Sequence, residues 1–483
     1  MRYNHQVLVK TIMVSVDYKP QMTNSIHPLL QIDQTILDNG LQVWCKPRPG
    51  TSSVVMRLLV RVGARYEVDG QNGIAHFLEH LIFDGTPRWS EQDIRHVIER
   101  VGGSFNGWTG HEGTVYEAEV LADHLDVALD WLAEIVFRST LSADQVEKER
   151  GVIFRERGGR LGAFLSILED LADRLRIDYD MYKSLMRQLF PGAALEREII
   201  GHEQALQHIT REDLWEFYHR FYVPNNMVLL IVGDVTTEHA LAAARRWFGE
   251  FQPGPVPPTL PVSGAPPGRF VRINTRWPDW IDRAYLWYGA RTVGAGHPDQ
   301  AAITVLSWIA GDRLREEMRE RRGLVYWLGA SNNTMTDVGY FSIETDSDGR
   351  HVQDILDYID VVLGEIKAGA LPAETLTYAK QALRGRNALA MDSNDRLAEV
   401  FTGPALTLAP GESVPDFFAE IESVTLADVQ RVARTYFTRD NSYLALARPA
   451  FTLRDVAVAA GGAALALAPL AWRKFRPRRE RNV

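Results

Sequence analysis

GIAHFLEHLIFDGT, residues 73–86, carries the densest chemistry in this 483-residue chain. His76 and His80 are four residues apart, so on a helix they share one face. That spacing lets two imidazoles grip one cation. Glu79 lies three residues after His76, beside the same place, where it can hold a water's proton without being a ligand. The same spacing also suits two polar histidines on an amphipathic helix, so a third donor is needed to decide between them.

Downstream, residues 149–156 read ERGVIFRE. Glu149 and Glu156 are seven apart, two helical turns, and so lie on one face. Val152 and Ile153 between them give that helix an apolar side. Glu156 follows His80 by 76 residues. A carboxylate on a charged helix is ordinarily solvated, but two on one face, in a chain that also carries H-x-x-E-H, weigh towards a functional role. There is one cysteine, Cys45. It cannot form an internal disulfide, so a metal would rely on histidine and carboxylate.

Hydrophobic residues make up 46% and charged residues 24%, as in ordinary globular proteins, which excludes a disordered chain, a collagen-like fibre and a polytopic membrane protein. The length is that of two to four domains at ~100–200 residues each. A net charge of −9 argues against nucleic acid as a partner.

Residues 253–267, PGPVPPTLPVSGAPP, hold seven prolines and read as a semi-rigid linker. The halves on either side resemble each other. ITREDLWEFYHRFYVPNN from Ile209 parallels VTLADVQRVARTYFTRDN from Val424, and LSADQVEKERGVIF from Leu141 parallels LPAETLTYAKQALR from Leu371. The same order in each half argues for duplication. Asn39-Gly40 between apolar runs predicts a hairpin over 35–44, and β-branched residues predict a strand over 53–62. Helices are expected at about 90–101, 122–137, 142–157 and 210–222, with a strand from Met227 to Val232. Strands and helices mix without strict βαβ alternation. The expected fold class is α+β: two duplicated domains, each a mainly antiparallel sheet packed with helices, plus a hydrophobic C-terminal tail. The expected boundaries are an N-terminal extension 1–30, domains 31–252 and 269–450, a Pro-rich linker 253–268, and the tail 453–483.

Residues 456–472 are uncharged, and RKFRPRRER follows with six basic residues and one acid. An apolar stretch before a basic cluster reads as a membrane anchor, with contact through 456–481. Its 17 residues reach about 25 Å as a helix, against a hydrocarbon core of ~30 Å. A buried or frayed terminal helix is the other reading. The basic tail would place the body outside the cytoplasm, whereas the N-terminus makes a poor signal peptide, which favours a cytoplasmic body. The two arguments oppose each other on orientation.

H-x-x-E-H inverts the H-E-x-x-H zinc-protease signature. With a glutamate about 76 residues later and another seven before it, the chain resembles an M16 (pitrilysin/insulysin-type) zinc metallopeptidase, nearest the short class that includes the mitochondrial processing peptidase. The resemblance spans roughly 30–450 and includes GIAHFLEHLIFDGT and GGSFNGWTGHEGTVY at residues 102–116. It implies that His76, His80 and Glu156 bind zinc, that Glu79 is the base and that Glu149 is an outer carboxylate. It implies that Arg319 and Tyr326, in RLREEMRERRGLVY, complete the site from the second half. It also implies that Asn106 and Gly107 lie on an edge strand that catches substrate backbone. His111, His124 and His219 read as surface or capping residues.

With no H-x-x-E-H in the second half, one zinc per chain is expected. The implied activity is a metalloendopeptidase acting on peptides or unfolded segments in a chamber built from two chains, a homodimer or a heterodimer with a related M16 chain. Two alternatives stand beside it: a maturation protease for one peptide product acting with a partner subunit, and a non-catalytic core-type subunit. The acidic body favours cationic or neutral peptides over acidic ones.

Overall fold

A computed structural model describes residues 27–158, 180–256, 258, 266–277 and 282–449. The proposed tail, residues 1–26 of the extension and most of the Pro-rich segment lie outside the described residues. No described helix is long and apolar enough to cross a membrane.

Eleven strands form two sheets among the described residues. The first half contributes β1 (Asp33–Ile36), β2 (Gln42–Pro47), β3 (Ser53–Val60), β4 (Ser104–Thr109), β5 (Thr114–Leu121) and β6 (Met227–Gly233), in the order β1-β2-β6-β3-β5-β4. The second contributes β7 (Val271–Trp277), β8 (Arg283–Val293), β9 (Val325–Thr334), β10 (Val338–Asp348) and β11 (Ser442–Pro449), in the order β7-β11-β8-β10-β9. Without β1, the two orders are the same connectivity repeated. Each sheet has one parallel pair, β2 with β6 and β7 with β11, and is otherwise antiparallel. The duplication expected from paired segments is therefore also a repeat of topology.

The helices are α1 (Ile74–Leu81), α2 (Glu91–Glu99), α3 (Leu125–Phe137), α4 (Ala143–Gly158), α5 (Met181–Leu189), α6 (Glu203–His208), α7 (Arg211–Phe221), α8 (Thr237–Phe248), α9 (Gln300–Arg315), α10 (Val352–Ala368), α11 (Ala373–Ala390), α12 (Asn394–Thr407), α13 (Phe417–Ser423) and α14 (Leu426–Tyr436). Local chemistry explains the repeated ones. Thr210 and Thr425 each accept from the backbone N–H three residues on, while Asp213 and Asp428 reach back, so α7 and α14 start with matching capping boxes. The hairpin turns at Gly40, whose φ of +85° favours glycine. The first sheet packs one face on α1, α2, α3, α7 and α8 through Val54, Met56, Leu58, Leu229 and Ile231.

The other face of each sheet is covered by the opposite half. Leu397, Phe401 and Ala405 of α12 pack on Val55, Leu59, Val228 and Leu230 of the first sheet. Leu185, Met186 and Leu189 of α5 pack on Val271, Ile273, Tyr443 and Ala445 of the second. Each fully buried large side chain contributes about 1.5–3 kcal/mol, so the exchange joins the halves strongly. Arg57, between Val55 and Leu59 on that face, is 4% exposed and binds Glu117 at 2.9 Å, Asp395 at 2.8 Å and also Glu399. Asp395 and Glu399 belong to α12, so the buried charge is paired across the junction.

Candidate active site

Helix α1 packs on α4, and this contact assembles the site. His76, His80 and Glu156 each offer a ligand atom within 4.8 Å of the others. His80 Nε2 is 3.5 Å and His76 Nε2 3.9 Å from the same oxygen of Glu156. The imidazoles meet edge to face, ring centroids 4.7 Å apart. Two imidazole nitrogens and one carboxylate oxygen form a donor set suited to zinc. Burial first, then the neighbouring His80, lowers the pKa of His76 to about 4, so it is a neutral donor at physiological pH.

Glu149 stands outside that set. Its Oε2 is 3.2 Å from His80 Nδ1, and Lys148 Nζ is 3.4 Å from its Oε1. The bond to His80 holds the Glu149 pKa low against its burial, and Lys148 adds to this. His80 loses to burial but gains more from Glu149, Glu79 and Glu156, so its pKa is raised. A carboxylate on the second ring nitrogen fixes the tautomer that presents Nε2.

Glu79 is buried with Oε2 4.0 Å from His76 Nε2. Burial, helped by Glu156, pushes its pKa up to about 7; His80 and a hydrogen bond from Thr109 pull the other way. Thr109 Oγ1 is 3.5 Å from its Oε2. Strand β4 is an edge of the first sheet, and Asn106 lies exposed along it, opposite Glu117. Gly107 leaves room there: a Cβ would meet Glu79 Oε1 at 2.9 Å and Phe83 Cε2 at 2.8 Å, so any other residue would displace these side chains. The missing side chain brings the strand edge against the buried carboxylate.

Arg319 and Tyr326 come together, the guanidinium 5.9 Å from the ring centroid. Arg319 sits in a π-helical turn, Glu316–Arg321, and Tyr326 is 81% exposed on β9, the edge of the second sheet. Among the described residues no hydrogen bond, ion pair or ring contact joins either to the His–His–Glu set. His219 is on the surface of α7 as expected and His124 is half-buried, but His111 differs. Its Nδ1 is inaccessible and without a partner, and burial, with Arg65 adding, lowers its pKa to about 4.

Sequence reasoning passed over Lys148, which also binds Asp84 at 3.1 Å and Glu91 at 2.6 Å, and Thr109. Lys148 adjoins Glu149 in sequence, and Thr109 is within the stretch already singled out at 102–116. Their contacts depend on how α4 and β4 pack against α1, which spacing does not report.

The described chain thus has two like halves, one of them holding a His–His–Glu set that could bind a metal, with a buried carboxylate beside it. Residues 42–159 match the family described as insulinase (peptidase family M16), and residues 208–383 match the peptidase M16 inactive domain. An uncharacterised zinc protease of Mycobacterium tuberculosis is 30% identical over 417 residues, 84% of this chain and 91% of that protein. The beta subunit of the mitochondrial-processing peptidase of Mus musculus is 27% identical over 456 residues, 91% and 88% of the two chains. The chain belongs to the M16 peptidase family. In fold it is similar to a Helicobacter pylori protease, with a TM-score of 0.75 at 22% identity, covering 87% of this chain and 99% of that one. It is also similar to the periplasmic protease PqqL of Escherichia coli, with a TM-score of 0.68 at 21% identity, covering 86% of this chain but 47% of that one.

Proposed function

We propose that this chain is a zinc-dependent endopeptidase of peptides or unfolded polypeptide segments. The carrying observation is the convergence of His76, His80 and Glu156 within 4.8 Å beside buried Glu79. His76, His80 and Glu156 would hold a zinc ion, which would supply Lewis acidity to a substrate carbonyl and to the attacking water. Glu79 takes the proton from that water at Oε2 and returns it to the leaving amine. A pKa near 7 suits both transfers. Thr109 steadies the carboxylate, and Glu149 holds His80 with Nε2 towards the donor set.

Substrate lies extended along the free edge of β4, where strand addition uses main-chain hydrogen bonds and tolerates varied sequences. Asn106 marks that edge, and Gly107 lets the scissile bond approach Glu79. Tyr326, with Arg319, donates to the developing oxyanion. Their exposure, with no contact to the donor set among the described residues, supports a site shared by two chains, in which one copy's β9 faces the other's α1. That the chain spans about half of PqqL supports pairing with a second copy or a related M16 chain.

The test is zinc content and cleavage of quenched-fluorescent peptides by wild type and Glu79→Gln. We expect one zinc per chain in both and a fall in kcat of about 10²–10⁴ in the variant. Zinc-free protein, or equal activity in both, overturns the assignment.

A further inference from the structure

Helix α1 starts at Gly73, whose φ is +94° and which has no side chain to cap the first turn. The first N–H groups of a helix need acceptors, and buried ones need them most. The N–H of Ile74 donates to Gln71 O at 3.1 Å, and those of Gly73 and Ala75 are met by Glu67, which follows the 3₁₀ turn Ala64–Tyr66 and is 3% exposed. Its Oε2 accepts from Gly73 N at 2.9 Å and Asn72 Nδ2 at 2.8 Å, and its Oε1 accepts from Ala75 N at 3.2 Å. One carboxylate thus receives three N–H donors, the last from the residue before His76. A negative group is also favoured at the positive end of the helix dipole.

The same place is joined to the third donor. A Cβ on Gly73 would lie 2.7 Å from Gly201 Cα, and one on Gly201 would lie 2.6 Å from Gly73 Cα, so the two backbones are in direct contact. His202 N donates to Asn72 Oδ1 at 3.0 Å, and Asn72 Nδ2 donates to Glu198 O at 3.0 Å. Arg157, the residue after Glu156, donates to Gly201 O and pairs with Glu198 at 3.1 Å. Residues 198–202 therefore hold the start of α1 and the end of α4 together.

We propose that Glu67 is a positioning residue for the metal site. By fixing the first turn of α1 against residues 198–202, it sets the rotation and height at which His76 and His80 face Glu156. It touches none of the three donors and acts through Asn72, Gly73 and Ala75. This role rests on the zinc-peptidase reading.

The test compares full-length wild type, Glu67→Gln, Glu67→Asp and Thr425→Ala at pH 8. Burial pushes the Glu67 pKa up to about 7, so at that pH its carboxylate is ionised. Glu67→Gln keeps the shape but replaces one acceptor with an NH₂ facing an N–H. Glu67→Asp keeps the charge and withdraws it by one methylene. Thr425→Ala removes a helix cap of the second half and so controls for a general loss of stability. Zinc affinity is read by chelator competition, beside thermal unfolding of the zinc-free proteins.

We expect Glu67→Gln to weaken zinc binding by about 10–100-fold, the range seen when groups behind metal ligands are altered. Glu67→Asp should fall between it and wild type, and Thr425→Ala should lower the thermal midpoint while binding zinc as wild type does. Wild-type affinity in both Glu67 variants overturns the positioning role and leaves the peptidase reading intact. An equal loss in Thr425→Ala also overturns it, because the effect is then generic. A wild type that binds no zinc overturns the peptidase reading, and this role with it.

Discussion

In the first half, the helix after β3 is α1, eight residues long, presenting two histidines and a glutamate to α4. In the second half, the helix after β8 is α9, sixteen residues long, and its sequence QAAITVLSWIAGDRLR has no histidine. It packs on α11 as α1 packs on α4. Aligning Leu141 with Leu371 sets Ala379 opposite Glu149 and Arg386 opposite Glu156. Ala379 is fully buried, and α9 buries Ile303, Leu306 and Ala310. One connectivity thus supports a polar helix pair in one half and an apolar pair in the other. The strand order specifies where two helices meet, and a handful of side chains decide whether that meeting holds a metal or only a core.

The sharpest way to break this contrast is to remove opposite residues from the two halves. Glu156→Ala should weaken zinc binding by more than the ~100-fold upper range for outer-shell changes, because it removes a donor. Arg386→Ala should leave zinc content unchanged. Metal analysis after dialysis measures both. A loss of zinc in Arg386→Ala would show that the second half contributes to the site.

The exchanged helices make the next largest effect. Phe401 of α12 is fully buried on the first sheet, and Leu189 of α5 is fully buried on the second. Phe401→Ala should cost about 3–5 kcal/mol and Leu189→Ala about 2–5 kcal/mol. Since each helix serves the other half's sheet, both variants should shift one shared urea transition. Two separated transitions in either variant would mean that the halves fold independently of the exchange.

Tyr326 tests whether the second half completes a site in another chain. Tyr326→Phe should keep its zinc and lose about 10²–10³ in kcat, as when an oxyanion donor is removed. Mixing it with Glu79→Gln should restore activity, since one of the two mixed sites would have both groups intact. No recovery in verified mixed dimers would count against shared sites.

The parts of the molecule legible in sequence are those specified by neighbours along the chain. The Asn39-Gly40 hairpin, the Thr210 and Thr425 capping boxes and the i, i+4 histidines each depend on spacings within one turn. The repeat of segments from Leu141 and Leu371 was legible too, because each half kept enough of the same pattern. Covering of each sheet by a helix from the opposite half was not, since nothing within the α5 or α12 sequences names the sheet they bury. Glu67 was passed over for the same reason. A glutamate after a short turn looks solvated until α1 is folded and its open first turn is seen to face that carboxylate. Gly107 was placed on the substrate strand by resemblance, but its closeness to Glu79 comes from packing.

The smallest expected effect concerns protons, and it separates two histidines that the motif makes look alike. His76, with its pKa lowered to about 4, carries no proton to displace at pH 5.5 and above. His80, raised by Glu149, Glu79 and Glu156 against its burial, must lose one before Nε2 can bind a metal. Zinc affinity should therefore fall as pH drops below the His80 pKa, by about tenfold per pH unit for one displaced proton. Glu149→Gln removes a neighbouring charge that stabilises the imidazolium, so His80 titrates lower and the fall begins at a lower pH. The plateau affinity at pH 8 should drop at the same time, because the ring loses its charged partner. Chelator competition from pH 5.5 to 8 measures both. Coincident pH profiles for wild type and Glu149→Gln would mean that the displaced proton is not held by the His80–Glu149 pair.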